Sequence, residues 1–332
     1  MGNKYISCQM IESGFDANIN SINFCCRSSE KGQGFKAIFS DFKGGKIDWD
    51  KFFEIKNFYR NQLKEGKMIP ECEGCIYLEE KEWPEGDYVS SLNLNNWTIC
   101  NAKCIYCSLD YMNKTNKIFR HYDMYPIFKD MVENKILRHG GHITIAGGEP
   151  CIINEFEKIV KLLLDNNYDT IRVLTNGTKY SKGIERGLKS GAVNIVISTD
   201  SGARETYKKI KQIDAHKKVW ENIKRYTSVQ KEPSLVKTKY IIIPNLNDNH
   251  AEIDEWFNMN LKSGIKAVAV DIEQNWFLNN GDNIPEKVHV MLNYIIQKAE
   301  DLNIQLEPHD RAVLMIKNEG NRHKVKFHGK EI

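Results

Sequence analysis

The sequence predicts an α/β protein built on a parallel sheet, with a small cysteine-rich segment ahead of it. From residue 88 onward, short runs of Val, Ile and Leu alternate with stretches of helical periodicity, the order of a βαβ series. Most of these runs are nearly continuous in apolar residues, as expected of parallel strands buried on both faces. The cysteines supply the third observation. All nine lie in the first half of the chain, at 8, 25, 26, 72, 75, 100, 104, 107 and 151.

Residues 1–85 have few long apolar runs and hold five of those cysteines. A segment this small buries little core alone, and metal is its natural staple. Its one strong helical pattern is Trp49–Lys64, with Trp49, Phe52, Phe53, Ile55 and Phe58 as apolar positions. Residues 79–87, with the run Pro84-Glu85-Gly86-Asp87, read as a linker to a second domain over 86–332. Strands are expected at 89–94, 142–146, 170–175, 193–199, 236–243, 267–272 and 303–307. Helices are expected between them. The segment 155–164 places Phe156, Ile159, Val160 and Leu163 on one face. The segment 181–189 stops at Ser190-Gly191, where glycine suits a left-handed cap. Segments 207–227, 252–261 and 284–301 complete the alternation, which fits a parallel barrel or an open sheet.

The bulk numbers set bounds. Over 332 residues, 41% are hydrophobic and 27% charged, ordinary for a globular protein. A formal net charge of +3 is too weak a bias to support nucleic-acid binding. The lysines at 207–239 read as a solvated face rather than a basic stripe. No apolar run approaches the roughly 20 residues of a membrane span, and residues 1–20 lack the apolar core of a secretory signal. A cytoplasmic protein is expected, in which clustered cysteines are metal ligands more often than disulfides.

Cys100, Cys104 and Cys107 form C-x3-C-x2-C directly after the strand expected at 89–94. Three thiolates hold three irons of a cubane cluster and leave the fourth without a protein ligand, whereas electron-transfer clusters close the site with four. Gly147-Gly148-Glu149-Pro150 follows the next expected strand, 40 residues after Cys107. Glycines allow close backbone approach, and carbonyls with Glu149 offer acceptors to an ammonium group. With Tyr106 as the aromatic residue before the third cysteine, this constellation resembles the radical S-adenosylmethionine (SAM) enzymes.

The resemblance implies a partial parallel (β/α)6 TIM-like barrel over 86–332. It implies a [4Fe-4S] cluster on Cys100, Cys104 and Cys107, whose open iron chelates SAM. One electron then cleaves SAM, and the 5'-deoxyadenosyl radical abstracts hydrogen from substrate. The electron would come from a flavodoxin- or ferredoxin-type donor. Tyr106 is implied beside the SAM adenine, and Gly147, Gly148, Glu149 and Pro150 at its amino group. Ser198, Asp200 and Asn247, at the ends of later strands, are implied near the ribose and carboxylate. Thr175-Asn176-Gly177-Thr178 falls where the family often has Thr-Asn-Gly. Ser198 and Asp200 share a face if strand geometry persists to the end; the alternative is that Asp200-Ser201 caps the next helix. Asn101 and Lys103 are read as ordinary loop residues. Asp271 and Glu273 end a strand, with Glu273 read as part of a solvated loop.

Cys8, the pair Cys25-Cys26, and Cys72-Glu73-Gly74-Cys75 resemble the twitch and SPASM auxiliary-cluster domains of the same superfamily, here placed ahead of the barrel. The implied ligands of a second [4Fe-4S] cluster are Cys8, Cys25, Cys72 and Cys75, with Cys26 as the alternative to Cys25. Structural zinc is the alternative metal, because four cysteines with a C-x2-C half are also a zinc signature. Substrates of such relatives are peptides, protein side chains, aminosugars and nucleotides, and the sequence does not choose among them. Oxidative modification or crosslinking is the expected outcome. The competing readings are an iron–sulfur or zinc redox or interaction protein without SAM chemistry, and an activating enzyme for a glycyl-radical partner. Cys151, beside the Gly-Gly-Glu-Pro run, is read as a buried free thiol.

Overall fold

The computed structural model describes residues 4–25, 35–75, 77–107, 121–274, 276–277, 285–309, 312, 326–327 and 330–331. The chain forms two compact units. The first takes residues 1–99 and 118–172, the second 100–117 and 173–332.

In the first unit the elements run β1 (Lys4–Ser7), α1 (Gln9–Ser13), β2 (Gly14–Asn18), β3 (Ser21–Asn23), β4 (Phe39–Ser40), α2 (Trp49–Lys64), β5 (Glu79–Glu82), β6 (Val89–Leu94), α3 (Tyr125–Glu133), β7 (Leu137–Ile145) and α4 (Phe156–Asp165). Its main sheet has the order β7-β6-β2-β3-β4. Strands β2, β6 and β7 run parallel, whereas β3 and β4 are antiparallel additions. The expected helix Trp49–Lys64 is present as α2. Asp48 caps it by accepting from Lys51 N at 3.0 Å. Its Phe52 ring meets Phe15 of β2 at 5.5 Å between centroids, and Trp49 meets Phe15 at 5.8 Å.

Phe15 thus faces α2, so Asp16 points to the opposite side of the sheet. Register pairs Asp16 with Asn93 and Asn93 with Thr144. The row below pairs Gly14 with Ser91 and Ser91 with His142. These strands are therefore not apolar on both faces. One face carries Phe15, Leu92, Leu94, Ile143 and Ile145, all buried, and the other presents a polar row. Residues 79–82, expected in a linker, form β5, which pairs antiparallel with β1 from Lys4↔Glu82 to Ser7↔Glu79. A strand of sequence Glu-Glu-Lys-Glu looks like solvated coil until its partner, some 75 residues earlier, is known.

The second unit continues with β8 (Ile171–Thr175), α5 (Lys182–Ser190), β9 (Val193–Ser198), α6 (Arg204–Lys211), α7 (His216–Thr227), β10 (Val236–Ile242), α8 (His250–Lys262), β11 (Ala267–Ile272), α9 (Glu286–Asp301) and β12 (Gln305–Pro308). Its strands follow the order β12-β11-β10-β9-β8, and the pairs β9–β10, β10–β11 and β11–β12 are parallel. This is the α/β, parallel-strand fold expected for a partial TIM-like barrel. Helix α5 ends as its sequence foretells, with Gly191 in the left-handed region at φ +86°. The single helix expected over 207–227 is two helices. Gln212 turns left-handed at φ +56° and stops α6, and α7 starts afresh at His216. Among the described residues no helix is long and apolar enough to cross a membrane.

Candidate active site

The segment after β6 is tied down before the cysteines begin. Asn95 N donates to Ala17 O at 2.8 Å, and Asn96 Nδ2 donates to Tyr122 O at 2.8 Å. Trp97 is fully buried. Gly148 N then donates to Trp97 O at 3.0 Å, and Glu149 N to Ile99 O at 2.8 Å. The Gly147–Pro150 run therefore lies along the residues that lead into Cys100.

Both glycines have a local cause. Gly147 sits at φ +102°, and a Cβ there would lie 2.9 Å from Trp97 Nε1. A Cβ on Gly148 would lie 2.1 Å from Ile99 O, a backbone atom that has no rotamer to yield. The space saved by the missing side chains is thus filled by the chain itself. Glu149 is fully buried, and its Oε1 accepts from Cys151 N at 3.0 Å, capping the short 3-10 turn Pro150–Ile152 that Pro150 opens. Cys151 is buried, as expected.

In the second unit the cysteine loop is exposed at Cys100 and half-buried at Cys104 and Cys107. Cys107 N donates to Cys104 O at 3.0 Å, which closes the C-x2-C turn. The Cys100 sulfur receives Ala102 N at 3.4 Å and Asn176 Nδ2 at 3.8 Å. Asn101, read as an ordinary loop residue, is part of a polar ring. Asn176 Nδ2 donates to Asn101 Oδ1, Asn101 Nδ2 donates to Thr178 Oγ1, each at 2.8 Å, and Thr178 Oγ1 donates to Asn176 Oδ1 at 2.7 Å. The Thr175–Thr178 segment after β8 thereby braces the first cysteine.

Tyr106 is half-buried. It packs, with Leu246, against the buried cluster of Ile210, Ile241 and Ile243. Its hydroxyl donates to Asp200 Oδ2 at 2.5 Å and accepts from Lys211 Nζ at 2.8 Å. Lys211 also forms an ion pair with Asp200, and both side chains are shielded from solvent (1% and 0% exposed). Strand β9 stops at Ser198, which is half-buried, and Asp200 turns left-handed at φ +55°. Strand alternation therefore no longer relates Ser198 to Asp200. Asp200 does not cap α6, whose N-cap position is Ala203. Its Oδ1 instead accepts from Ile241 N at 3.0 Å. Asn247 holds this corner. Its Nδ2 donates to Asp200 O and Ile241 O, both at 2.9 Å, and its Oδ1 accepts from Ile243 N at 2.7 Å.

Burial would lower the Lys211 pKa, but Asp200, Cys104 and Tyr106 together more than offset this and hold it well above the ordinary value. Burial and the Asp200 charge push Tyr106 well up. Burial also raises the Cys104 thiol, against which Lys211 acts. No sequence pattern pointed to Lys211, whose partners lie 11 and 105 residues away. Glu273 is not solvated as expected. It is 8% exposed and accepts from Trp276 N at 2.5 Å, and Asp271 is buried as well.

The N-terminal cysteines also have a defined setting. Cys8 precedes α1, where the Met10 and Ile11 amides favour its thiolate against burial. The hairpin β2–β3 leads to Cys25. Cys72 ends the short 3-10 turn Pro70–Cys72, and Cys75 N donates to Cys72 O at 3.0 Å across a left-handed Gly74 at φ +77°. Burial pushes the Cys72 thiol up to about 12, with further contributions from Cys8, Cys25 and Cys75. The four sulfurs therefore share one electrostatic neighbourhood. Cys26 lies outside the described residues.

None of the eight described cysteines is in a disulfide. Among the described residues no three His, Cys, Asp or Glu side chains gather tightly enough for one shared metal ion. A cubane asks for less, because each thiolate binds a separate iron. Three thiols on one short loop, with N–H donors at one sulfur and a buried ammonium bonded to the tyrosine beside another, are a donor set that fits such a cluster.

Residues 95–257 match the family model of the Radical SAM superfamily. The chain belongs to the Radical SAM superfamily. It is 26% identical over 220 residues to a GTP 3',8-cyclase of Clostridium botulinum (strain Okra / Type B1), covering 65% of this chain and 66% of that protein. Streptococcus suis SuiB bound to S-adenosylmethionine superposes with a TM-score of 0.52 at 12% identity, covering 80% of this chain and 56% of SuiB. SuiB bound to its precursor peptide SuiA superposes with a TM-score of 0.53 at 12% identity, covering 98% and 76%. At that identity the likeness is one of fold. The chain spans just under two thirds of the cyclase and little more than half of SuiB in the first of these comparisons. Enzymes of this superfamily use a [4Fe-4S] cluster and SAM.

Proposed function

We propose that the chain cleaves SAM reductively at a [4Fe-4S] cluster on Cys100, Cys104 and Cys107 and abstracts hydrogen from a substrate, for oxidative modification or crosslinking. The observation that carries this reading is the loop itself. None of its three cysteines is in a disulfide, and the segment leading into it is hydrogen-bonded to Gly148 and Glu149. When bound, the cluster supplies the electron that converts SAM to methionine and the 5'-deoxyadenosyl radical. The protein supplies position. Asn176 and the Ala102 amide orient the Cys100 sulfur, and the Asp200–Tyr106–Lys211 group fixes the far end of the loop. Backbone carbonyls of the Gly147–Pro150 run receive the SAM ammonium. Ser198, Asp200 and Asn247 shape the ribose side, with Asn247 acting through the backbone it holds.

Cys8, Cys25, Cys72 and Cys75 of residues 1–85 would hold a second [4Fe-4S] cluster, closed by four thiolates and therefore unable to bind SAM, which would supply an acceptor for the electron of an oxidative reaction. The shared neighbourhood of these thiols supports this reading over a set of unrelated buried cysteines. The first electron comes from a flavodoxin- or ferredoxin-type donor, and described cysteines outside disulfides suit a reducing cytoplasm. The names of the relatives span a nucleotide and a precursor peptide, and the substrate is drawn from peptides, protein side chains, aminosugars or nucleotides. The test is isotopic. Candidate substrates from each class, uniformly deuterated, are turned over with reductant and SAM. Deuterium in 5'-deoxyadenosine from one class identifies it, and turnover without such transfer refutes direct abstraction.

A further inference from the structure

We propose that Lys211 is a positioning residue of the cysteine loop, whose buried ammonium holds Tyr106, and with it Cys107, in place for the cluster held there. The proposal rests on the assignment of that cluster to Cys100, Cys104 and Cys107. It starts from the end of α6. The last carbonyls of a helix have no partner within the helix. Here two of the last carbonyls of α6 are taken by the loop, with Ile105 N donating to Ile210 O at 3.0 Å and Lys103 N donating to Lys211 O at 3.1 Å. The loop is thus pinned by backbone on both sides of Cys104.

The Lys211 side chain adds a second tie. It is 1% exposed and engages Asp200 and the Tyr106 hydroxyl, so one ammonium links the residue before Cys107 to the end of β9. Taking a charged pair out of water costs several kcal/mol per ion. An apolar side chain would fill the same space without that cost, which points to a role for the charge. The residue is thus tied to both flanks of Cys104: its backbone carbonyl receives Lys103 N, and its ammonium holds the Tyr106 hydroxyl. Tyr106, whose hydroxyl bonds both Asp200 and Lys211, transmits loop position rather than chemistry.

The experiment is an EPR-monitored redox titration of the reconstituted full chain, with iron counted per chain. The variants are Lys211→Arg, Lys211→Met and Lys211→Met/Asp200→Asn, the last of which removes both charges and leaves neither buried alone. The signal followed is the one missing from Cys100→Ala/Cys104→Ala/Cys107→Ala. Lys211→Arg is expected to keep full iron and the wild-type midpoint, and both neutral variants are expected to bind less iron or to titrate away from that midpoint. A folded double variant that loads no cluster while Lys211→Arg loads fully also upholds the positioning role. A double variant with full iron at the wild-type midpoint overturns the proposal, as does an Lys211→Arg protein that loses the cluster or titrates as far from the wild type as the double variant. If the wild type itself shows no signal dependent on the three cysteines, the cluster assignment has failed, and not the role of Lys211.

Discussion

Replacing Asp16 by Asn should make this protein more stable at neutral pH. Asp16 is fully buried on β2, and its Oδ1 has no hydrogen-bond partner. Its Oδ2 accepts from the Asn18 amide. Burial raises its pKa from 3.8 to about 6. A carboxyl group with a raised folded-state pKa binds its proton more tightly folded than unfolded. The unfolded chain therefore loses that proton first as pH rises, and stability falls through this range. Above pH 6 the full penalty applies, about 3 kcal/mol for a displacement of this size. Asn keeps the shape and an acceptor for Asn18 but carries no charge. In urea unfolding of the full chain at pH 8, Asp16→Asn should gain about 2–3 kcal/mol over wild type, narrowing to about half near pH 5. A gain that does not change with pH, or a variant less stable than wild type at pH 8, would refute the reasoning.

Three further predictions follow from the site. Gly148→Ala sets a methyl 2.1 Å from Ile99 O, so it should cost about 3 kcal/mol or more and lower the iron bound per chain, read by unfolding and iron assay. Asn247→Ala removes the bonds to Asp200 O, Ile241 O and Ile243 N and should cost about 3 kcal/mol. Its SAM affinity, measured by equilibrium dialysis, should weaken; unchanged stability would dismiss Asn247 as the support of that corner. Reconstituted wild type should bind about eight irons per chain, falling to about four in Cys100→Ala/Cys104→Ala/Cys107→Ala and to about four in Cys72→Ser/Cys75→Ser. Wild type with about four irons, and none in the first variant, would leave the N-terminal set to zinc.

The parts of the site that could be read in the sequence are those carried by short spacings. C-x3-C-x2-C, the Gly-Gly-Glu-Pro run and C-x2-C declare themselves because their members are neighbours on one loop. The helix Trp49–Lys64 was legible through its aromatic periodicity, and the end of α5 through Gly191. The rest depends on long-range pairing. Nothing local tells that Lys211 will meet Tyr106, or that Glu79–Glu82 will find a strand at the start of the chain. The polar face of β2, β6 and β7 was partly visible. Ser91 and Asn93 alternate with Leu92 and Leu94, a period of two that reading β6 as a continuous apolar run passes over. That Asp16 belongs to the same row follows only from the register of β2 on β6. Tyr106 and Asp200 were found as residues of interest, but their mutual bond ties an aromatic ring to a carboxylate 94 residues away.

The most direct measurement is 5'-deoxyadenosine formed from SAM by the anaerobically reconstituted chain with dithionite, compared with Cys100→Ala/Cys104→Ala/Cys107→Ala and with Cys72→Ser/Cys75→Ser. The account predicts product from the wild type, none from the first variant, and continued cleavage by the second, because only the loop after β6 leaves an iron open to SAM. Cleavage that survives loss of Cys100, Cys104 and Cys107, or a fully loaded wild type that forms no 5'-deoxyadenosine, would contradict it.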